Sequence, residues 1–119
     1  MPWESSDRRS RLPEDWARRV SDVMKRDGGR CVVCGDPATD MHHLVYGSGM
    51  RAVAESGKTC AAVCRAHHDM AHAGSVSILM ALRLWASANR YSLAHDALTR
   101  RLDKISPHLF PRSTGRDGR

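Results

Sequence analysis

The sequence predicts a small α+β domain, mostly helical, organised around bound metal rather than a large apolar core. Three observations carry this. Apolar residues recur at helical spacing in three stretches, beginning near Pro13, Ser75 and Ala94. One short stretch, Thr39 to Val45, reads as a strand. Four cysteines fall in two close pairs, and six of the seven histidines lie between positions 42 and 95. A chain of 119 residues fits one domain. With only 5% aromatic residues its core is poor in large side chains, a deficit that small domains offset with a structural metal.

Each element follows from local chemistry. Residues 1–11 are polar and charged and predict a disordered N-terminus. Pro13 suits the first position of a helix, where its missing N–H costs nothing. Glu14 and Asp15 suit the positive end of the helix dipole. Trp16, Val20 and Val23 form an apolar stripe at i, i+4 and i+7. Gly28-Gly29 ends this helix. Cys31-Val-Val-Cys34-Gly35 reads as a tight knuckle and Asp36-Pro37 as a turn. The strand over Thr39–Val45 is closed by Gly47-Ser48-Gly49. Residues 50–58 are expected to form a loop or a weak second strand. A short helix is expected over Val63–Ala73, stopped by Gly74. Ile78, Leu82 and Trp85, with Leu79 beside them, mark the next helix, and Asn89–Ser92 breaks it. Ala94, Leu98, Leu102 and Ile105 line one face of the last helix, and Pro107 stops it. The domain is thus expected over 12–106, with a core over 28–74 and two C-terminal helices over 75–106. A flexible basic tail is expected over 107–119.

Charge narrows the partners. The net charge is +6, unevenly placed. Residues 8–30 hold eight Arg/Lys against four Asp/Glu, residues 100–119 hold six against two, and residues 31–99 hold five of each. Basic flanks about a neutral centre suit a polyanion, because cations on phosphates release condensed counterions. Arg18, Arg19, Lys25, Arg26 and Arg30 are candidate phosphate contacts, joined by Arg51 and Lys58 on the loop after the strand. No apolar run is long enough to span a membrane. Met1–Arg11 lacks the apolar stretch of a secretory signal, so a soluble, cytoplasmic protein is expected.

Two ligand sets stand out. Cysteines paired closely in a chain of this kind favour metal over disulfides. Cys31-x-x-Cys34 followed by Cys64-x-x-His67 can surround one tetrahedral zinc, with Cys60 as an alternative to His67. The second set is His42-His43 and His68-x3-His72. On a helix, i and i+4 share a face, so His68 and His72 can hold one ion together. His67 is rotated towards the other side, so one helix can serve two metals. On a strand His42 and His43 face opposite ways, so one can ligate while the other stands beside the ion.

These motifs, in this order, resemble the HNH endonuclease family, and in particular its small, single-domain phage and prophage members with zinc knuckles. The matching stretch runs from Leu12 to Gly74. It reads Leu12-Pro-Glu-Asp-Trp16, Arg26-Asp-Gly-Gly-Arg-Cys-Val-Val-Cys-Gly35, Ala38-Thr-Asp-Met-His-His43 and Val63-Cys-Arg-Ala-His-His68. The resemblance implies a ββα-metal core carrying the knuckle, flanked by the N-terminal helix and the two C-terminal ones. It implies His42, His68 and His72 as ligands of a catalytic divalent ion and His43 as the general base. It implies DNA as substrate, cut by metal-assisted hydrolysis to a 5′-phosphate and a 3′-hydroxyl. A phage terminase or another packaging protein, in a bacterial host cell, is the partner it suggests. Three imidazoles suit Mn, Ni, Zn or Co better than Mg. Two departures stand out. Thr59 occupies the place of the family's middle Asn, which braces the loop and helps orient the base; a hydroxyl lacks the amide's paired donor and acceptor. His67 stands where most knuckle-bearing members have Cys. The main rival reading is a non-catalytic zinc module that binds nucleic acid.

Overall fold

A computed structural model describes residues 13–45 and 57–110. The expected disordered N-terminus, Gly47-Ser48-Gly49, Arg51 and the end of the basic tail lie outside the described residues, as does the Trp16 side chain. Four helices and a two-stranded antiparallel sheet make up the rest. In chain order these are α1 (Pro13–Arg26), β1 (Asp40–His43), a 3-10 turn (Gly57–Thr59), β2 (Cys60–Val63), α2 (Arg65–His72), α3 (Val76–Ala88) and α4 (Ser92–Ile105).

The sheet sits between helices. Asp40 pairs with Val63, Met41 with Ala62, His42 with Ala61 and His43 with Cys60. Alternation sends Met41, Cys60 and Ala62 to one face, where they pack on Val20 and Val23 of α1. Ala61 and Val63 go to the other face and join Ala71 of α2 and the α3–α4 core of Leu79, Leu82, Leu98 and Leu102. All four residues of β2 are therefore buried.

That burial explains the largest departure from the sequence reading. Of residues 50–58, expected to form a loop or a weak second strand, 50–56 lie outside the described residues and 57–59 form the 3-10 turn; the strand that pairs with β1 is Cys60–Val63, and Val63 ends it rather than opening the helix. Cys-Ala-Ala-Val has no polar alternation because both its faces are covered, and alanine has weak strand preference. Tertiary pairing made this strand. β1 is also shorter than Thr39–Val45, although Leu44 N–H still donates to the Thr59 carbonyl at 2.8 Å and continues the pairing one rung.

The outer edge of β2 is covered, as an exposed edge would invite pairing with another chain. Val32 N–H donates to the Ala62 carbonyl at 3.0 Å, and Ala62 N–H donates to the Asp27 carboxylate at 3.0 Å. Arg26 donates to the Cys60 carbonyl at 2.7 Å and also to the Gly57 carbonyl. Its guanidinium lies 5.1 Å from the Trp85 ring centre and 5.4 Å from that of Tyr91. Arg26 therefore ties α1 to β2, α3 and the turn before α4.

The C-terminal helices form a hairpin. Ser75 caps α3 by accepting from Ile78 N–H at 3.5 Å. In α4, Ala94, Leu98 and Leu102 are buried as their spacing predicts. Ile105, expected on the same face, is 42% exposed, because its turn of the helix reaches past the core to Gly74. Residues 107–110, assigned by sequence to the tail, fold back instead. Leu109 and Phe110 pack on the core, and Arg83 stacks 4.4 Å from the Phe110 ring centre. Among the described residues no helix is long and apolar enough to cross a membrane.

Candidate metal centres

The knuckle is folded by its own backbone. Gly35 N–H donates to the Cys31 carbonyl at 2.9 Å, and Cys31 N–H donates to the Asp36 carbonyl at 2.7 Å. The turn needs a left-handed residue at position 35, and Gly35 supplies it at φ +83°. Arg30 donates to the Gly35 carbonyl at 3.1 Å and braces the same loop. Across from the knuckle, α2 begins at Arg65 with Cys64 in the N-cap position. An N-cap is ordinarily a residue whose oxygen caps the helix. Cys64 makes no such bond, and its sulfur turns to the knuckle instead.

Cys31, Cys34, Cys64 and His67 form one group of ligand atoms, all within 4.8 Å of one another. His67 Nδ1 is 3.6 Å from Cys31 Sγ and 3.4 Å from Cys64 Sγ, and Cys34 Sγ is 3.9 Å from Cys64 Sγ. Around one tetrahedral zinc, sulfurs at about 2.3 Å and a nitrogen at about 2.1 Å stand roughly 3.6–3.8 Å apart. The set fits that ion. Cys60 is not in it; its side chain is buried against Val20, Val23 and Met41. His67 is the fourth member, as the i, i+3 spacing from Cys64 allows.

The thiols are electrostatically primed for a cation. Burial alone would raise the Cys31 thiol, but the backbone at Cys64, Cys34 and Val33, with His67, outweighs it and lowers Cys31 to about 6. At Cys34 the Asp36 backbone N–H favours the thiolate. Burial and the Cys31 and Cys64 sulfurs oppose it and raise Cys34 to about 11. Sulfurs this close hold only part of their possible charge until a cation joins them.

The second group is His42, His68 and His72, with ligand nitrogens again within 4.8 Å. The ring centres are 5.1 Å apart for His42–His68 and His42–His72, and 4.6 Å for His68–His72. The Nε2 atoms of His68 and His72 are 3.0 Å apart. Two nitrogens at about 2.1 Å from a shared ion, at roughly a right angle, would have about that separation. His42 is buried on β1 at 1% exposure, while His72 is exposed on the last turn of α2. Burial, then the neighbouring imidazoles and Arg101, hold His42 well below the ordinary imidazole value. His72 is lowered by burial, His68 and Arg101, against Asp69. Both are therefore neutral at pH 7, the form that ligates.

Sequence reasoning assigned no role to Asp40, yet it backs this site. Its carboxylate is 2% exposed and hydrogen-bonds His68 Nδ1. That leaves His68 Nε2 to face His72, the second-sphere arrangement that orients a ligating imidazole. Arg65 Nη1 lies 3.4 Å from the same carboxylate oxygen. A signal was there to find. Asp40 precedes His42 by two strand positions and so shares its face. His43, by the same alternation, points towards the α1 side and is half-buried. Thr59 is 1% exposed, and its carbonyl rather than its side chain makes the bond to Leu44 described above.

The basic candidates divide. Arg18, Arg19, Lys25 and Lys58 are exposed. Arg26 is tied into the fold by its bonds to Asp27, Gly57 and Cys60 and its place over Trp85. Arg30 is partly committed to the knuckle. The α1 residues also belong to the helix on the opposite face of the sheet from His42. Among the described residues, Arg65 reaches the histidine set through Asp40 and Arg101 through the His72 carbonyl; the sequence singled out neither.

Comparison with protein families, curated proteins and solved structures finds no match to this chain.

Proposed function

We propose that the chain is a metal-dependent endonuclease that hydrolyses DNA phosphodiester bonds, as its resemblance to the HNH family implies. The observation that carries this reading is the pairing of two unlike ligand sets on one short helix. Four ligands, three of them sulfur, suit a closed structural zinc. Three imidazoles with one exposed edge suit an ion that keeps a position for substrate.

In this reading Cys31, Cys34, Cys64 and His67 hold zinc, and His42, His68 and His72 hold Mn, Ni, Co, Zn or, less naturally, Mg. Bound by these three imidazoles, a divalent ion would supply Lewis acidity to phosphodiester hydrolysis. His42 and His68 fix the site from the strand and the helix, and Asp40 keeps His68 in the ligating tautomer. His43, next to His42 on β1, is the general base of this reading and takes a proton from the attacking water. Arg18, Arg19, Lys25 and Lys58 draw in the duplex. A phage role beside a terminase, in a bacterial cytoplasm, belongs to the same proposal.

Thr59 favours a second reading, a zinc module that binds nucleic acid without cutting it. One assay separates the two. Plasmid DNA is incubated with wild type and His43→Ala, with Mn, Ni, Mg or a chelator. The nuclease reading expects nicking or linearisation by wild type and a loss of about 10²–10⁴-fold in His43→Ala. Gel retardation without cleavage by either protein, in any metal, selects the binding module.

A further inference from the structure

We infer that Arg101 of α4 is a phosphate-binding residue of the histidine site, placed to take an oxygen of a phosphoryl group held at His42, His68 and His72. The inference deepens the proposal above and rests on its reading of that site as one for a phosphodiester.

The geometry begins with the packing of α4 against the end of α2. Ile105 lies beside Gly74, where a Cβ would stand 3.5 Å from its Cδ1. Gly74 holds φ +87°, so glycine both ends α2 and admits this approach. One turn earlier on α4, Arg101 Nη2 donates to the carbonyl of His72 at 3.2 Å. The guanidinium is thus fixed to the backbone of a ligand residue.

That anchor uses one of five N–H donors of a rigid fork, and among the described residues no other bond engages the guanidinium. Leu98 and Leu102 are buried in the core and set the rotation of α4, which leaves Arg101 partly exposed. Its charge also reaches both imidazoles, where it adds to the lowering that burial and the neighbouring histidines produce at His42 and His72.

The rest of the site is short of negative charge. Asp40 is buried and engaged by His68 and Arg65. Asp69 pairs with Arg65 at 3.7 Å. Imidazole ligands bring no charge to a metal, so a divalent ion held by three of them would keep its full charge, and Arg101 adds another beside it. A site of that sign selects an anion, and a guanidinium fork matches two phosphate oxygens. This gives the C-terminal hairpin a role, since α4 carries Arg101 to a site built from β1 and α2.

A purely structural Arg101, capping the last carbonyls of α2, is the competing account. The two are separated by titrating the zinc-loaded, 15N-labelled chain with inorganic phosphate, with and without Mn-free divalent ion (Zn or Mg) at the histidine site. Phosphate binding is read at the Arg101 Nε–H signal and the His72 amide. The expected result is a saturable shift of both in wild type. Binding should be weaker by about ten- to a hundredfold in Arg101→Gln, and by less in Arg101→Lys. A wild-type Arg101 signal that does not move with phosphate overturns the inference, as does Arg101→Gln binding phosphate as wild type does. If Arg101→Gln fails to fold, the wild-type signal and Arg101→Lys decide. Cleavage is scored separately on plasmid DNA. A chain that binds phosphate through Arg101 but never cuts sinks the nuclease reading and leaves this one standing.

Discussion

The two ligand sets share α2 yet differ in almost every physical respect. The thiolate set joins the knuckle to the first turn of α2. Its members come from segments some thirty residues apart, as in the Cys34–Cys64 pair with a separation of 30. It has four donors and mutually repelling sulfurs. The histidine set joins β1 to the last turn of α2. It has three imidazole donors, a buried carboxylate behind one of them and an exposed residue, His72, at its rim. The first arrangement is one that needs its ion to hold the chain together. The second already stands on a strand and a helix, so a cation bound there would add little to its shape. One helix serves both because successive residues, His67 and His68, point about 100° apart.

This contrast is open to breaking, most forcibly at the thiolate set. Cys64→Ala should leave three ligands and uncompensated sulfur. Structural zinc sites contribute roughly 10 kcal/mol or more, comparable to the whole stability of a small domain. The expected outcome is loss of the cooperative thermal transition by circular dichroism, and the same on stripping metal from wild type with a strong chelator. A variant that melts as wild type does would show that the core of Leu79, Leu82, Leu98 and Leu102 suffices without zinc.

A smaller effect is expected at the histidine set. Asp40→Asn keeps the shape but removes the charge that holds His68 Nδ1–H. Affinity for the second metal should fall about 10–100-fold, measured by calorimetric titration, while zinc content at the thiolate set stays at one per chain. Equal weakening of both sites would mean that Asp40 supports the fold and not the ligand.

The mildest expectation concerns acid. His42 and His72 are held below the ordinary imidazole value of 6.5, first by burial. The unfolded chain therefore binds protons at a higher pH than the folded one. Their contribution is fully present above about pH 6.5 and is lost as pH falls from there towards the lowered values. Each histidine gives a slope of at most about 1.4 kcal/mol per pH unit. Urea melts of metal-free protein between pH 7.5 and 5 should show this loss, and His42→Gln should flatten it. A stability that stays level across that interval would place the histidines in water.

Much of this was legible in the sequence. Val20 and Val23, Leu79 and Leu82, and Leu98 and Leu102 are buried where helical spacing put them. The two ligand sets assemble from the residues whose spacings named them, because i, i+3 and i, i+4 are properties of any helix and the knuckle closes locally around Gly35. Other features were not legible. β2 is a run of small residues whose strand state comes from being covered on both faces, and no local pattern encodes that. Arg26 reads as one more surface cation, and only the approach of β2, Trp85 and Tyr91 makes it a tie. Spacing favoured His67 over Cys60 as the fourth ligand but left Cys60 as an alternative, and the direction of the Cys60 side chain into the core removed it. Arg101 lies 29 residues beyond His72, with no motif to link them. Sequence alone thus determined the helices, the knuckle and the donor chemistry, since each depends on contacts within a few residues. The tertiary structure decided which strand pairs with β1, that Arg26 is tied to β2 and α3, and what lies beside the histidines, because those depend on segments that meet only when the chain has folded.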